Sequence, residues 1–302
     1  MSHIYEALRR ASEGPLADGR GAAPAQHPAS ALEHYAGESG QFFDRAQEPR
    51  RSRPGPLAPA APQTAARHPL GRAGAGYEGK LVAGGGNASV SAELYRSLAA
   101  TLHEAQVDRG LKTMVVTSAM RGEGKTLTAV NLALTLSESF ARRVLLIDAD
   151  LRGPSIHQVL GVPNETGLSE ALARAGIPLP LVEVSSLLHV LPGGHPEPNP
   201  LARLSSDRMQ AVLDECASRF DWVLVDTPPV GVMADAQLLA RQVQGVIFVI
   251  RAGATPFSVV QKAIAELGRE CIIGTVLNGV EQGSLPGAPA YGGYRQAALP
   301  SQ

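Results

Sequence analysis

The sequence predicts an α/β fold with a doubly wound, mainly parallel sheet, preceded by a long segment that has no core of its own. Short and nearly uninterrupted apolar runs alternate with amphipathic stretches of helical length. A glycine-rich loop follows the first apolar run, and aspartates follow two later runs. Strands separated by helices pair in parallel through right-handed crossovers. We therefore expect the ligand crevice at the carboxyl ends of the strands.

The secondary structure elements follow from the spacing of apolar residues. Strands are buried on both faces and read as apolar runs, whereas helices place apolar residues three and four positions apart. We predict strands at 113–117, 143–147, 188–191, 222–225, 246–250 and 272–277. We predict helices at 91–106, 126–139, 203–219, 234–242 and 258–269.

The N-terminal part of the chain differs in composition. Residues 1–12 place apolar side chains on one helical face and form a short amphipathic segment. Residues 13–88 are mostly Ala, Gly, Pro, Arg and Gln, and their few apolar residues follow no period, so we predict a disordered linker. The folded domain is expected at 89–281, with a flexible tail at 282–302 that carries two tyrosines.

Charge and cysteine content exclude several classes of function. The net charge of −1 gives no electrostatic reason to expect nucleic acid as a partner. Cys216 and Cys271 are the only cysteines and lack CxxC spacing, so neither a disulfide framework nor a thiolate metal site is expected. No apolar run approaches the roughly 18 residues of a membrane span, and no signal-peptide pattern opens the chain. We expect a cytoplasmic protein.

The glycine-rich loop predicts a nucleotide site. Residues 118–126 read SAMRGEGKT directly between a predicted strand and a predicted helix, which is the context of a P-loop. Gly122 and Gly124 let the backbone N–H groups turn toward phosphate oxygens, while Lys125 would reach the β- and γ-phosphates of ATP. Thr126 would place its hydroxyl on Mg²⁺. The expected nucleotide-contacting residues are Ala119, Met120, Arg121, Gly122, Glu123, Gly124, Lys125, Thr126, Leu127, Arg152 and Asn278.

Carboxylates at the ends of two later strands support the same site. Asp148 and Asp150 follow strand 143–147 in DADLR, and Asp226 follows strand 222–225 in DTPP. Carboxylates at this edge can hold Mg²⁺ directly or through its waters, and we predict Thr126, Asp148 and Asp226 as the metal ligands. Arg152 could neutralise phosphate charge or form a salt bridge with a neighbouring carboxylate.

The motifs GEGKT, DADLR and DTPP, in this order, resemble the bacterial tyrosine kinases, or BY-kinases, which are relatives of the deviant Walker ATPases. The resemblance covers residues 91 to the C-terminus and includes the segments ELYRSL, PEPNP, VIRAG and VLNGV. It implies an ATP- and Mg²⁺-dependent protein-tyrosine kinase that phosphorylates its own tail in trans and regulates exopolysaccharide or capsule biosynthesis. It also implies a homo-oligomer, and a membrane-spanning chain-length adaptor on a separate chain that recruits the kinase to the inner face of the membrane.

The resemblance assigns roles to individual residues. The phosphate-binding lysine of the family matches Lys125, and the three catalytic carboxylates match Asp148, Asp150 and Asp226. Asp148 would act as the base that removes the proton of the tyrosine hydroxyl, whose ordinary pKa is about 10. In the tail, Tyr291 and Tyr294 are the expected autophosphorylation sites.

Two departures from the family pattern leave alternatives open. The family helix motif has a glutamate and two arginines at three-residue intervals, but Glu93 and Arg96 are followed by Ala99, and the tail has only two tyrosines. An ATPase switch of the deviant Walker class is one alternative, although Met120 occupies the position of its signature lysine. An ATP-binding scaffold without kinase activity is the other, and iron–sulfur carriers are excluded because they need a CxxC.

Overall fold

A computed structural model describes residues 66–67, 73–82, 90–174 and 176–280. The predicted segment 1–12, most of the predicted linker and the tyrosine-bearing tail 282–302 lie outside the described residues. The predictions for those parts of the chain therefore stay predictions.

The described part of the chain forms one sheet of eight strands in the order β1-β4-β5-β3-β6-β2-β7-β8. All neighbouring strands are parallel except the short antiparallel pair β4 and β5. The fold class is therefore the one predicted. The strands are β1 Ala66–Arg67, β2 Thr113–Ser118, β3 Val144–Asp148, β4 Val182–Glu183, β5 Leu188–Leu191, β6 Trp222–Asp226, β7 Gly245–Arg251 and β8 Ile272–Asn278.

Helices cover both faces of the sheet. They are α1 Val90–Arg109, α2 Lys125–Ser139, α3 Ile156–Leu160, α4 Leu168–Ala173, α5 Pro200–Leu204, α6 Asp207–Arg219, α7 Asp235–Ala240 and α8 Phe257–Leu267, with a 3₁₀ turn at Arg269–Cys271. None of the helices in the described ranges has the length and apolar character that crossing a bilayer requires.

The core lies in two layers because successive side chains of a strand point to opposite faces. In β2, Val115 packs into one apolar cluster, whereas Met114 and Val116 pack into the cluster on the other face. The central strands β2, β3 and β6 are buried along their whole length. Their carboxyl ends are therefore fixed relative to each other by packing on both sides.

The predicted helix 203–219 is wrong in one respect, because the structure has two helices there. Helix α5 ends at Leu204, and α6 begins at Asp207. Between them, the Ser206 hydroxyl accepts a hydrogen bond from the backbone N–H of Met209, which is an N-cap interaction that starts a new helix. Short elements such as α3, α4 and β4 were not predicted, since segments of two to six residues carry too little periodicity.

Residues 73–82 fall within the predicted linker, yet they pack on the domain. Tyr77 and Leu81 contact the apolar cluster that includes α2. On α2, the Asn131 side chain accepts a hydrogen bond from the N–H of Val82 and donates one to the carbonyl of Lys80, both at 3.1 Å. The predicted boundary at residue 89 is therefore incorrect for these ten residues. The composition does not reveal this packing, because the contacts come from two apolar side chains, one distant amide and the Gly74 N–H, which donates to the Val159 carbonyl at 3.1 Å.

Candidate active site

The predicted site residues meet at the carboxyl ends of three adjacent strands. The strand order places β6 between β3 and β2. Asp148 at the end of β3 is the register partner of Asp226 at the end of β6. The phosphate loop 118–126 leaves the end of β2 and enters α2 at Lys125. The topology therefore assembles the three sequence motifs that were predicted separately.

The phosphate loop depends on glycine at two positions. Gly122 has φ of 81° and Gly124 has φ of 91°, which is the left-handed region that other residues rarely adopt. At Gly124, a Cβ atom would also lie 2.0 Å from the Asn278 amide nitrogen. These two glycines let the backbone curl before α2, so that N–H groups and the positive end of a 15-residue helix face the same space.

Lys125 lies among the carboxylates of the site. Its ammonium nitrogen is 3.3 Å from Asp150 Oδ2 and 3.7 Å from Asp226 Oδ1, and its side chain is only 13% exposed. Burial acts to lower the pKa of Lys125, but the charges of Asp226, Asp150 and Asp148 outweigh it and raise the pKa above its usual value. The lysine is therefore a fixed cation, as binding of phosphate requires.

Asp148 is fully buried and held by backbone groups. Its Oδ2 atom accepts hydrogen bonds from the N–H groups of Ser155 and Ile156, at 2.8 and 2.9 Å. Burial and then the neighbouring charge of Asp226 raise the pKa of Asp148 to about 7, despite the hydrogen bonds that act in the opposite direction. A carboxylate with a pKa near neutrality can accept and release a proton at physiological pH, which suits a general base.

Asp226 and Thr126 offer oxygen ligands of the type that Mg²⁺ binds. The Thr126 hydroxyl donates to Asp226 Oδ2 at 2.7 Å. Asp226 Oδ1 is buried and has no hydrogen-bond donor within the described part of the chain. Burial raises the pKa of Asp226, while nearby Lys125 opposes that rise. Asp226 Oδ1, which lies 3.7 Å from the Lys125 ammonium, and the adjacent Thr126 hydroxyl are oxygen ligands that suit a hard cation that retains water. These residues therefore fit Mg²⁺.

Several predicted nucleotide-contacting residues direct their side chains elsewhere. The Glu123 carboxylate is buried beneath the loop, and Asn278 donates to the backbone carbonyl of Glu123 at 2.8 Å. Arg152 pairs with the buried Asp235 at 3.2 Å, which is the salt-bridge alternative considered from the sequence. Ala119 is buried, whereas Met120 and Arg121 are exposed on the loop. Leu127 packs against the core.

The structure also brings residues to the site that sequence reasoning missed. The Ser155 hydroxyl lies 3.4 Å from the Thr126 hydroxyl. Gly193 packs against the same site, since a Cβ there would lie 2.6 Å from Pro154 and 3.6 Å from the Asp148 carboxyl carbon. The missed residues lie in loops, and loops have no apolar periodicity from which a place in the site could be predicted. For Gly193 the only available signal was its adjacency to the PEPNP segment.

Comparison with known proteins gives a family match. Residues 111–278 match the ParA family model, described as a NUBPL iron-transfer P-loop NTPase. The chain is 37% identical over 195 residues to the tyrosine-protein kinase YwqD of Bacillus subtilis, which covers 63% of this chain and 82% of that protein. It is 31% identical over 207 residues to the tyrosine-protein kinase Wzc of Salmonella typhi, covering 67% of this chain but only 29% of Wzc.

Solved structures agree with the sequence relatives. The kinase domain of the Escherichia coli tyrosine kinase ETK superposes with a TM-score of 0.60 at 33% identity, covering 64% of this chain and 77% of that chain. The chimerical protein CapA2B2 superposes with a TM-score of 0.61 at 27% identity, covering 66% and 88%. The region that matches the family model, 111–278, contains the phosphate loop and both aspartate motifs.

Proposed function

The chain belongs to the ParA-type P-loop NTPases and, among them, to the tyrosine-protein kinases, and from this membership we propose that it transfers the γ-phosphate of ATP to its own tail tyrosines. The observation that carries this proposal is the convergence of a phosphate loop with Lys125 and Asp148 at one sheet edge. The iron-transfer description of the family model does not extend to this chain, because its two cysteines have no CxxC spacing.

The proposed mechanism uses residues already placed in the site. The Lys125 ammonium and the loop N–H groups bind the phosphates, and charge stabilisation of this kind supplies most of the catalysis in phosphoryl transfer. Thr126 and Asp226 would hold Mg²⁺, and the bound cation would supply charge neutralisation at the phosphate oxygens. Asp148 accepts the proton of the tyrosine hydroxyl. As it does so, the tyrosine oxygen bonds to the γ-phosphorus, and the bond between that phosphorus and the oxygen that leaves with ADP breaks.

The other residues of the site have supporting roles in this proposal. Asp150 accepts a hydrogen bond from the Lys125 ammonium and orients it. Arg152 keeps the loop after β3 attached to α7 through Asp235, rather than contacting phosphate directly. An ATPase switch would need the same loop, but Met120 stands where that class has its signature lysine.

We further propose the setting that the resemblance implies. The kinase would regulate exopolysaccharide or capsule biosynthesis in the cytoplasm, beside a membrane-spanning chain-length adaptor on a separate chain that recruits it to the membrane. Self-association would bring the tail of one copy to the site of another, because only ten residues, 281–290, separate Tyr291 from the end of the described domain.

The tail provides the test of this function. Replacing Tyr291→Phe together with Tyr294→Phe should abolish most phosphotyrosine formation with Mg²⁺ and ATP while ATP binding remains unchanged. Each phosphate adds about −1.5 to −2 charges near a site that already contains carboxylates, so phosphorylation should also weaken self-association. Phosphosite mapping and light scattering after size-exclusion chromatography measure the two effects. Phosphotyrosine formation at the wild-type rate in the double variant would refute the assignment of the tail.

A further inference from the structure

Glu123 lies between the two glycines of the phosphate loop, and its carboxylate is almost completely buried, with 2% of the residue exposed. One carboxylate oxygen accepts a hydrogen bond from the N–H of Met120 within the loop. The other oxygen accepts from the Thr255 hydroxyl and from the N–H of Arg251. The side chain therefore joins the phosphate loop to the connection between β7 and α8.

Two further hydrogen bonds attach the loop to the same sheet edge. Arg251 Nη1 donates to the carbonyl of Gly122 at 3.0 Å, and Asn278 Nδ2 donates to the carbonyl of Glu123 at 2.8 Å. Three residues thus hold one side of the loop: Arg251 at the end of β7, Thr255 after it, and Asn278 at the end of β8. Since these bonds use carbonyl oxygens of Gly122 and Glu123, they favour the curvature in which N–H groups turn the opposite way.

A carboxylate is an unexpected side chain at this position. Burying a charged group is unfavourable unless several donors compensate, and a negative charge in a phosphate loop repels the anion that the loop binds. An apolar side chain would fill the same space without either effect. The two carboxylate oxygens receive donors from both loops at once, which an apolar side chain cannot do. This side chain therefore acts on the shape of the loop rather than only filling the core.

We propose that Glu123 is a positioning residue for ATP, and that its hydrogen bonds to Thr255 and Arg251 fix the phosphate loop in its phosphate-binding curvature. This inference rests on the proposed ATP-dependent function of the same site. Loosening the contact lets the loop sample other conformations, and the population able to bind phosphate falls. The effect therefore appears in the affinity for ATP and in KM for ATP, more than in kcat.

The test uses Glu123→Gln, Thr255→Val and their double variant in the full chain, with Mg²⁺–ATP affinity measured by isothermal titration calorimetry. Each single change should weaken binding about tenfold, and the double variant should bind about as weakly as the weaker single variant, because residues in one network are not additive. Thr255→Ser restores the hydroxyl and should recover affinity. Thr101→Val is the matched control, since Thr101 is exposed on α1 and its hydroxyl donates to the Ser97 carbonyl of the same helix.

The outcomes separate this inference from the proposed function. Unchanged affinity in both single variants, additive losses in the double variant, or failure of Thr255→Ser to recover affinity would overturn the positioning role. A loss of melting temperature in the absence of nucleotide, without a change in affinity, would show that the contact only supports the fold and would also overturn it. ATP binding by calorimetry needs no phosphoryl transfer. A wild type that binds ATP without forming phosphotyrosine would therefore refute the kinase proposal and leave the role of Glu123 standing.

Discussion

The buried carboxylate of Asp148 should make the metal-free protein less stable as the pH rises. Its pKa is about 7 in the folded protein, above the ordinary value of 3.8, because burial and Asp226 disfavour the charged form. Between pH 3.8 and about 7, folding therefore takes up a proton, and above about 7 the folded protein has to bury the charged form. The contribution of protonated Asp148 to the free energy of unfolding is fully present below about pH 4 and is lost as the pH rises through about 7.

The size of this effect follows from the shift. One pKa unit corresponds to about 1.4 kcal/mol, so the shift of Asp148 amounts to roughly 4 kcal/mol at pH 8 and roughly 1–2 kcal/mol at pH 5. Part of this free energy comes from the repulsion between Asp148 and Asp226, so it cannot be assigned to Asp148 alone. We therefore expect Asp148→Asn to be more stable than the wild type by roughly 2–4 kcal/mol at pH 8, and by about half of that at pH 5.

Urea denaturation in EDTA at both pH values measures this difference. EDTA is needed because a bound cation would stabilise the ionised carboxylates. The comparison between variant and wild type is needed because other groups titrate, including His157 and His189, whose pKa values burial lowers. Asp214→Asn, at an exposed position on α6, is the matched control for the removal of one carboxylate. An Asp148→Asn protein that is less stable than the wild type at pH 8 would refute the reasoning.

Two further predictions concern contacts outside the reaction centre. Deleting 15–85 should lower the free energy of unfolding by about 2–4 kcal/mol relative to deleting 15–72, because the longer deletion removes the apolar contacts of the segment that Asn131 holds. Equal melting temperatures for the two deletions would contradict those contacts. Arg152→Ala should cost about 1–3 kcal/mol in chemical denaturation by leaving the buried Asp235 unpaired, and a second change to Asp235→Ala should recover part of the loss. Full additivity of the two changes would count against the pair.

Elements that have a regular apolar pattern were predicted from the sequence, and segments that lack such a pattern were missed. Buried strands such as β2 and β6 have an apolar run that identifies them, and their predicted bounds differ from the structure by one residue. The segment 73–82 was assigned to the linker because its attachment to Asn131 joins positions about fifty residues apart. No local pattern encodes a contact of that separation.

In the candidate site, residues that belong to short motifs were likewise predicted, whereas contacts between distant segments were not. Lys125 and the motif aspartates were predicted because their chemistry depends on short, recognisable spacings. The direction of the Glu123 side chain was not, since its partner Thr255 follows a different strand. Arg152 was left with two possible roles, and the choice depended on the burial of Asp235, which only the folded chain specifies.

The most direct test of the account is phosphosite mapping on the purified full chain after incubation with Mg²⁺ and ATP, comparing the wild type with Lys125→Met. The change removes the cation that lies 3.3 Å from Asp150 and 3.7 Å from Asp226, so phosphotyrosine formation should fall by at least about 100-fold. Circular dichroism establishes that the variant is folded. We expect phosphotyrosine in the wild type and almost none in folded Lys125→Met protein. Undiminished phosphotyrosine in that variant, or none in the wild type, would contradict it.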